Sequence, residues 1–528
     1  MSAANYSRFV ESQAIRRADK VAIIGEGAEW TYRQLAERVR AVAAFLADHG
    51  VGRGDRVALQ AMNSAEYICT VLAVYRVGGV AVPLNYRLQE AELSYLLRNS
   101  QAVVIVAEGA FAPSLDNAAQ GLDVRARIQL GPGALPPGWI GFEQVLADHA
   151  GRTVPVADVA DTDPQRIMYT SGTTDRPKGV IVTHRMAHLN ALTHVTELGL
   201  AEQDRVLVSS PLYHVAAWDA PGLGALFVGG SLVVLRKFDA ATALEVIERH
   251  RITGGIFVQA MLHALRGAAD GSRDLSSLRW VIFGAASGEL YREIAELLPT
   301  TRLVQAYGMT EACSAIAYID PAHARAKLGS VGSAVPFVEF RVVDENDHPV
   351  PAGTAGQVVL RGPKVTPGYW QDPELTATAL AGGWFHTGDV GVLDEDGFLS
   401  ITDRLKDMIR SGGENVASQE IERILYAHPG VLETAVIGIP DDRWQEVPKA
   451  FVVPKAGVEL SEQELIAHCR ASLASFKTPK QVEFVEALPR NPSGKVLKRI
   501  LRQGTRPEEH PRPNAAVYDQ ADRLVGDL

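Results

Sequence analysis

Between residues 20 and 110 the chain alternates short apolar runs of strand character with amphipathic stretches of helical period. That alternation restricts the fold to parallel sheets covered by helices, because each strand must be buried on both faces. VAIIG (21–25), VALQAM (57–62) and AVVIVAE (102–108) are read as buried strands. TYRQLAERVRAVAAFLADHG (31–50) is read as a helix, with Thr31 as N-cap and Gly50 as its stop. AEYICTVLAVYRVGG followed by VAVPLN repeats the same order, and LGPGALPPGWIG (130–141) is a loop by composition. The alternation resumes from 205 to 360 in RVLVSS, GSLVVL, GGIFVQA, LRWVIFGA and TRLVQAYG. Around 339–361 the pattern becomes all-β, in EFRVVDENDHPV and GQVVLRG.

A chain of 528 residues exceeds what one hydrophobic core usually supports, so at least two domains are expected. The boundary is placed in ITDRLKDMIRSGGENVASQEIERIL, where a short β segment gives way to a polar crossing. The expected fold class is α/β: a large N-terminal domain (1–402) of α/β sheets plus a β-rich portion, a hinge at 403–406, and a small mobile α+β domain (407–528). TAVIGIP, KAFVVP and QVEFVEALP are the strands expected in the small domain; ASQEIERILYAHP and SEQELIAHCRASLAS are its helices. The Pro-rich, charged stretch GTRPEEHPRPNAAVYDQ reads as a tail.

The formal net charge of −10 argues against nucleic acid or an anionic membrane as the main partner. Any anionic substrate must then be met by a local cluster of donors. Cys69, Cys313 and Cys469 lie far apart and form no CxxC pair, so neither a zinc site nor a disulfide framework is expected. The N-terminus has no apolar core of signal-peptide length, and apolar runs are broken before a transmembrane length is reached. A cytoplasmic protein without an integral membrane segment is expected, monomeric or homodimeric.

The sharpest local signal is the run YTSGTTDRPKG from Tyr169 to Gly179. Its glycine and hydroxyl residues let backbone N–H and side-chain O–H groups converge on phosphate oxygens, and Lys178 adds charge. A Ser/Thr/Gly cluster by itself is more often a solvated turn, and GxxxxGK[ST] cannot be fitted here. Further strings follow in order: AYGMTE (306–311), GWFHTGD (383–389), DRLKD (403–407), SGGENV (411–416) and PRNPSGK (489–495).

Taken together, these strings resemble the adenylate-forming enzymes: acyl-CoA synthetases, adenylation domains of peptide synthetases, and luciferases. The resemblance runs from about residue 10 to about 503 and is nearest to free-standing acyl-CoA ligases. It implies two steps, in which ATP and a carboxylic acid give acyl-adenylate and pyrophosphate, and a thiol then releases AMP. It implies ATP, Mg²⁺ and coenzyme A as cofactor and co-substrates, and a small carboxylic acid as partner.

The chemistry explains the residue types. A carboxylate is ionised at neutral pH, so its attack on the α-phosphate needs no general base. The obstacle is bringing an anion up to a polyanion, which positive charge and oriented donors must overcome. By resemblance Lys495 bridges the acid and the α-phosphate, Thr310 donates to the α-phosphate, and Glu311 is the oxygen ligand of magnesium. Thr170, Ser171, Gly172, Thr173, Thr174 and Lys178 hold the other phosphates. Asp389 and Arg404 hold the ribose side, and Lys406 stands in the hinge. Gly284, Ala285 and Ala286 pack on adenine and Tyr307 forms its other face; Ala306 and Gly308 are implied in the nucleotide site, and Gly284, Ala285 and Gly308 also in the acyl pocket. A solvated turn for Asp389, a surface ion pair for Arg404 and a helix cap for Glu311 are the structural alternatives.

His214, in PLYHVAAW, matches the junction of acyl and thiol channels in the family; a buried structural histidine is the alternative. Trp218 is either a wall or gate of the acyl pocket or plain core. Gln259, Ala260 and Met309 complete the expected pocket. Small residues near the nucleotide leave room for a ring and Trp218 could close the far end. That favours a short-to-medium, cyclic or aromatic monocarboxylic acid over a long chain, unless Trp218 swings aside as a gate. The strings forming the pocket show no Arg or Lys, which disfavours a dicarboxylate. Gly412 and Gly413 would let backbone line a narrow pantetheine channel; an amine acceptor, giving an amide, is the alternative. One departure stands out. Relatives usually carry glycine where this chain has Asp175, whose carboxylate would repel a triphosphate if it faced inward.

Overall fold

The computed structural model describes residues 4–170, 176–284, 288–411, 414–441, 443–490 and 496–504. Its contacts divide the chain into two units, Met1–Phe340 with Val359–His386, and Arg341–Val358 with Thr387–Leu528. The second unit thus takes in 387–402, because the Phe385–Leu393 strand pairs antiparallel with Leu399–Arg404 and shares its contacts.

The first unit holds two large sheets. One runs Ile140–Gly141, Ala126–Leu130, Val104–Glu108, Arg56–Gln60, Val80–Pro83, Pro164–Thr170 and Lys178–Thr183. Its pairings are parallel up to the last, where Pro164–Thr170 and Lys178–Thr183 form an antiparallel hairpin around 171–177. Val82, Leu93, Leu97, Ile105 and Leu115 are buried together between this sheet and the helices Glu90–Ser100 and Ala112–Ala118.

The other sheet runs Ser333–Ala334, Ser314–Tyr318, Arg302–Met309, Trp280–Gly284, Gly254–Ile256, Arg205–Val208, Ser231–Val234, Val21–Gly25 and Ala28–Thr31. From Arg205–Val208 the chain goes to a strand on one side, Ser231–Val234, and then returns to the other side at Gly254–Ile256, all in parallel. Such a reversal of strand order leaves a crevice at the carboxyl ends of the strands, where ligands of α/β sheets bind. Gly254 is required there: a Cβ would lie 2.4 Å from the Trp280 ring.

Local signals explain the elements around these sheets. The Tyr32–Asp48 helix starts at Thr31, whose hydroxyl accepts from Gln34 N–H while the Gln34 side chain accepts from Thr31 N–H. It ends before Gly50, at φ +69°.

The second unit contains most of a four-stranded sheet ordered Glu339–Val343, Ala355–Arg361, Phe385–Leu393 and Leu399–Arg404. A five-stranded sheet follows, with Glu414–Val416, Ile409–Ser411, Gln445–Pro454 and Val431–Asp441 in order and Gln481–Phe484 parallel to Gln445–Pro454. The helices Ser418–Tyr426 and Glu462–Ser472 enclose a core of Ile409, Ile421, Leu425, Val436, Val452 and Leu465 against it. Cys69, Cys313 and Cys469 are unpaired and buried. Among the described residues no helix is long and apolar enough to cross a membrane.

Candidate active site

At the carboxyl edge of the nine-stranded sheet, four parallel strands deliver their following residues to one place. His214 follows Arg205–Val208, Gln259 and Ala260 follow Gly254–Ile256, Gly284 ends Trp280–Gly284, and Ala306, Tyr307, Gly308 and Met309 end Arg302–Met309. Gln259, Ala260, Gly284 and Gly308 are exposed there, while Ala306, Tyr307 and Met309 are half-buried. The edge is therefore open, with Ala260, Gly284, Ala306 and Gly308 as its small residues and Gln259, Tyr307 and Met309 as its larger ones.

The chain then reverses tightly. Thr310–Ala312 form one turn of 3-10 helix, and Ser314–Tyr318 returns antiparallel to Arg302–Met309. Cys313 and Ser314 both lie in the left-handed region, at φ 51° and 88°, a conformation costing non-glycine residues about 1–3 kcal/mol each. Gly308 makes the reversal possible, since a Cβ there would lie 2.1 Å from the Ser314 carbonyl oxygen. The result is a fixed position for Glu311, buried at the turn.

Glu311 is not alone. Lys178, the first residue of the strand after the 171–177 connection, places Nζ 3.2 Å from Glu311 Oε1. The phenol of Tyr369 touches both, donating to Glu311 Oε1 at 3.0 Å and accepting from Lys178 Nζ at 2.7 Å. The same ammonium is 4.4 Å from the Tyr369 ring centroid. Burial and the neighbouring Glu311 carboxylate push the Tyr369 phenol up, so it stays a donor. Thr170, directly opposite Lys178 across the hairpin, has a buried hydroxyl with no partner among the described residues, as expected of a group that meets a ligand oxygen. A cavity of about 460 Å³ adjoins Lys178, lined also by Tyr95, Asn99, Arg176 and Trp370.

Magnesium fits this donor set in one way. Among the described residues no group of three or more His, Cys, Asp or Glu could hold a metal. Glu311 supplies one buried carboxylate, which suits an ion that keeps several waters and takes its other ligands from substrate phosphates.

In the second unit Asp389 and Arg404 are direct cross-strand partners, with Arg404 Nε 3.3 Å from Asp389 Oδ1. Asp403 is wholly buried and caps the Ser418–Tyr426 helix, accepting from Ser418 N–H and, at 2.8 Å, from its hydroxyl. Lys498 Nζ donates to Ser418 Oγ at 2.6 Å and pairs with Glu422 at 2.7 Å. Arg502 reaches Asp407 at 2.8 Å. The expected hinge thus has a tied residue on either side of Lys406, which is itself exposed. Ser411 pairs antiparallel with Glu414, across Gly412 and Gly413.

Ser171, Gly172, Thr173, Thr174, Asp175, Ala285, Ala286, Gly412, Gly413 and Lys495 lie outside the described residues. Trp218 is buried, its ring 6.2 Å from Tyr67, 6.5 Å from Tyr75 and 5.8 Å from the Arg166 guanidinium. These contacts favour its reading as core. Arg166 in turn makes a buried ion pair with Asp219 at 2.7 Å. His214 caps the short helix Val215–Asp219 and is half-buried, and burial followed by the Arg87 charge pushes its imidazole down to about 4. It is neutral at physiological pH.

Tyr369 is the residue that sequence reasoning missed. The string TPGYW marks only a Pro-Gly turn followed by aromatics; the burial of the Tyr369 phenol and its two partners come from distant segments.

Comparison with known proteins agrees with this geometry. The model of the AMP-binding enzyme family matches residues 10–370, and that of the AMP-binding enzyme C-terminal domain matches 420–495. A feruloyl-CoA synthase of Amycolatopsis sp is 40% identical over 90% of this chain and 94% of its own. A long-chain-fatty-acid–CoA ligase of Mycobacterium tuberculosis is 37% identical over 90% of this chain and 92% of its own. Among solved structures, an anthranilate CoA ligase in complex with anthranoyl-AMP aligns with TM-score 0.87 at 28% identity, covering 95% of this chain and 97% of that one. The amide bond synthetase McbA from Marinactinospora thermotolerans aligns with TM-score 0.84 at 30% identity, covering 95% and 100%. By its motifs, its fold and these matches, the chain belongs to the AMP-binding enzyme family.

Proposed function

We propose that the protein is an AMP-forming acyl-CoA ligase for a short-to-medium aromatic or cyclic monocarboxylic acid. The observation that carries the reading is the buried Glu311 carboxylate, paired with Lys178 beside the phosphate loop, at the end of the strand that carries Ala306–Met309.

In this reading Lys178 and Thr170 bind the phosphates, and Asp389 accepts from the ribose hydroxyls with Arg404 beside it. Glu311 holds magnesium, which neutralises charge on the phosphates when bound. Thr310 and Lys495 meet the α-phosphate, and Lys495 also draws in the acid oxygen. Neutral His214 stands where the thiol path reaches the acyl group and offers no charge to repel or trap the carboxylate. Segment 403–406 is the crossing between an acid- and ATP-binding portion (1–402) and a smaller portion (407–528).

The open edge at Gln259, Ala260, Gly284 and Met309 supports a flat acyl group, since small side chains leave width for a ring. Feruloyl and anthranoyl groups, named for two of the relatives, are of this kind. A long flexible chain, as in the name of the mycobacterial relative, is the competing reading. Pyrophosphate release on adding MgATP with a panel of benzoic, cinnamic, indole-acetic and alkanoic acids tests the proposal. Release with ring acids at lower concentration than with palmitate supports it, and the reverse order refutes the pocket reading.

A further inference from the structure

The segment Thr366–Trp370 is bound on two sides. On one side it follows the strand after the phosphate loop: Ile181 N–H donates to the Gly368 carbonyl at 3.1 Å, Trp370 N–H to the Gly179 carbonyl at 2.7 Å, and Thr366 Oγ1 to the Ile181 carbonyl at 2.7 Å. On the other, Thr366 N–H donates to the carbonyl of Glu311 itself, at 2.7 Å. Its own turn is fixed by Thr376, whose hydroxyl accepts from Tyr369 N–H at 2.9 Å. Gly368 lies at φ +145° with no room for a Cβ, which would meet Thr376 at 2.4 Å. Tyr369 is thereby held nearly without exposure, although its phenol carries a hydroxyl that burial alone would disfavour.

The hydroxyl is used on both sides, toward a cation and toward an anion from two different elements. A phenol so placed can accept from an ammonium and donate to a carboxylate at once while itself staying neutral. We propose that Tyr369 is a positioning residue of the nucleotide site, whose phenol sets the spacing of Lys178 and Glu311 so that phosphate and its magnesium meet both together. The inference rests on the reading of Glu311 as the magnesium carboxylate and of Lys178 as a phosphate donor. It adds a residue that touches neither substrate nor metal and acts through the two that do.

The test compares Tyr369→Phe, which keeps the ring over the ammonium, with Tyr369→Leu, which removes both contacts. Binding of MgATP to the full-length protein without acid is measured by titration calorimetry, and binding of ATP in EDTA is measured in parallel. Tyr369→Phe is expected to weaken MgATP binding about 10-fold, on the scale of one hydrogen bond to charged groups. ATP in EDTA should lose less, and the KM for the acid and the thermal midpoint should stay unchanged. Tyr369→Leu should lose more than Tyr369→Phe. In a Glu311→Gln background, Tyr369→Phe should add little further loss, because a residue acting through Glu311 is not additive with it. Wild-type affinity for MgATP in Tyr369→Phe overturns the inference. So does a loss matched by a higher KM for the acid and a lower thermal midpoint, which marks general structural damage. If Glu311→Gln itself leaves the magnesium requirement unchanged, the reading of Glu311 fails instead.

Discussion

Arg404 Nε lies 3.3 Å from Asp389 Oδ1, the two residues facing each other across paired antiparallel strands. Asp389 is largely buried and Arg404 partly exposed, so the guanidinium holds the carboxylate in place as an acceptor. Replacing Asp389 by Asn keeps the shape and removes the charge. Asp389→Asn is expected to raise the KM for ATP about 10- to 100-fold, the scale of losing charged hydrogen bonds to ribose hydroxyls. Steady-state kinetics at saturating acid measure it, and an unchanged KM would remove Asp389 from the ribose site.

Lys406 lies between two anchored residues, Asp403 tied to Ser418 and Asp407 tied to Arg502. If the smaller portion rotates between the two steps, a residue of the expected 403–406 hinge must change φ/ψ, and proline at 406 fixes φ near −65°. Lys406→Pro should retain adenylation and impair thioester formation. The two half-reactions, pyrophosphate release and thioester from supplied acyl-adenylate, are measured separately. Equal rates in both, unchanged from wild type, would count against a hinge here.

Two buried histidines, His184 and His194, and the half-buried His214 make stability depend on pH. Burial pushes His184 down to about 4, with His188 and Arg166 adding to it and Asp163 opposing. Burial and then Lys364 push His194 down to about 3, and burial and Arg87 push His214 down to about 4. The unfolded chain takes up these protons near 6.5 and the folded chain resists, so folding stability is full above 6.5 and falls as pH drops toward 4. Each histidine contributes a slope of up to about 1.4 kcal/mol per pH unit in that window. Denaturant midpoints at pH 7.5 and 5.5 should show a clear loss at the lower pH. His194→Gln should flatten the dependence; equal midpoints at both pH values would contradict the assignment.

Asp175 replaces the glycine usual at this position, and Asp175→Gly tests where its carboxylate points. If it faces the triphosphate, the variant should lower the KM for MgATP. An unchanged KM means that it points to solvent.

Much of the scaffold is readable from local sequence. VAIIG coincides with the strand Val21–Gly25, and the helix begins at Thr31, because period, β-branching and a capping pair are properties of a few neighbouring residues. Through the resemblance, the motif strings single out Lys178, Glu311, Asp389 and Arg404, and the structure sets Lys178 beside Glu311 and Asp389 beside Arg404. What escapes is set by packing between distant segments. Tyr369 bonds Lys178 across 191 residues and Glu311 across 58, and no local pattern announces either contact. The left-handed Cys313 and Ser314 are equally silent, being imposed by the close return of Ser314–Tyr318 on Arg302–Met309. Trp218 could be core or pocket wall by composition; its contacts with Arg166, Tyr67 and Tyr75 are what favour core.

The fate of the acyl-adenylate tests the proposed function most directly. Protein, MgATP and an accepted ring acid are incubated with coenzyme A or with an amino acid, and products are identified by mass spectrometry. An acyl-CoA thioester with stoichiometric AMP and pyrophosphate is predicted, with no amide. Amide formed without thioester would contradict the account.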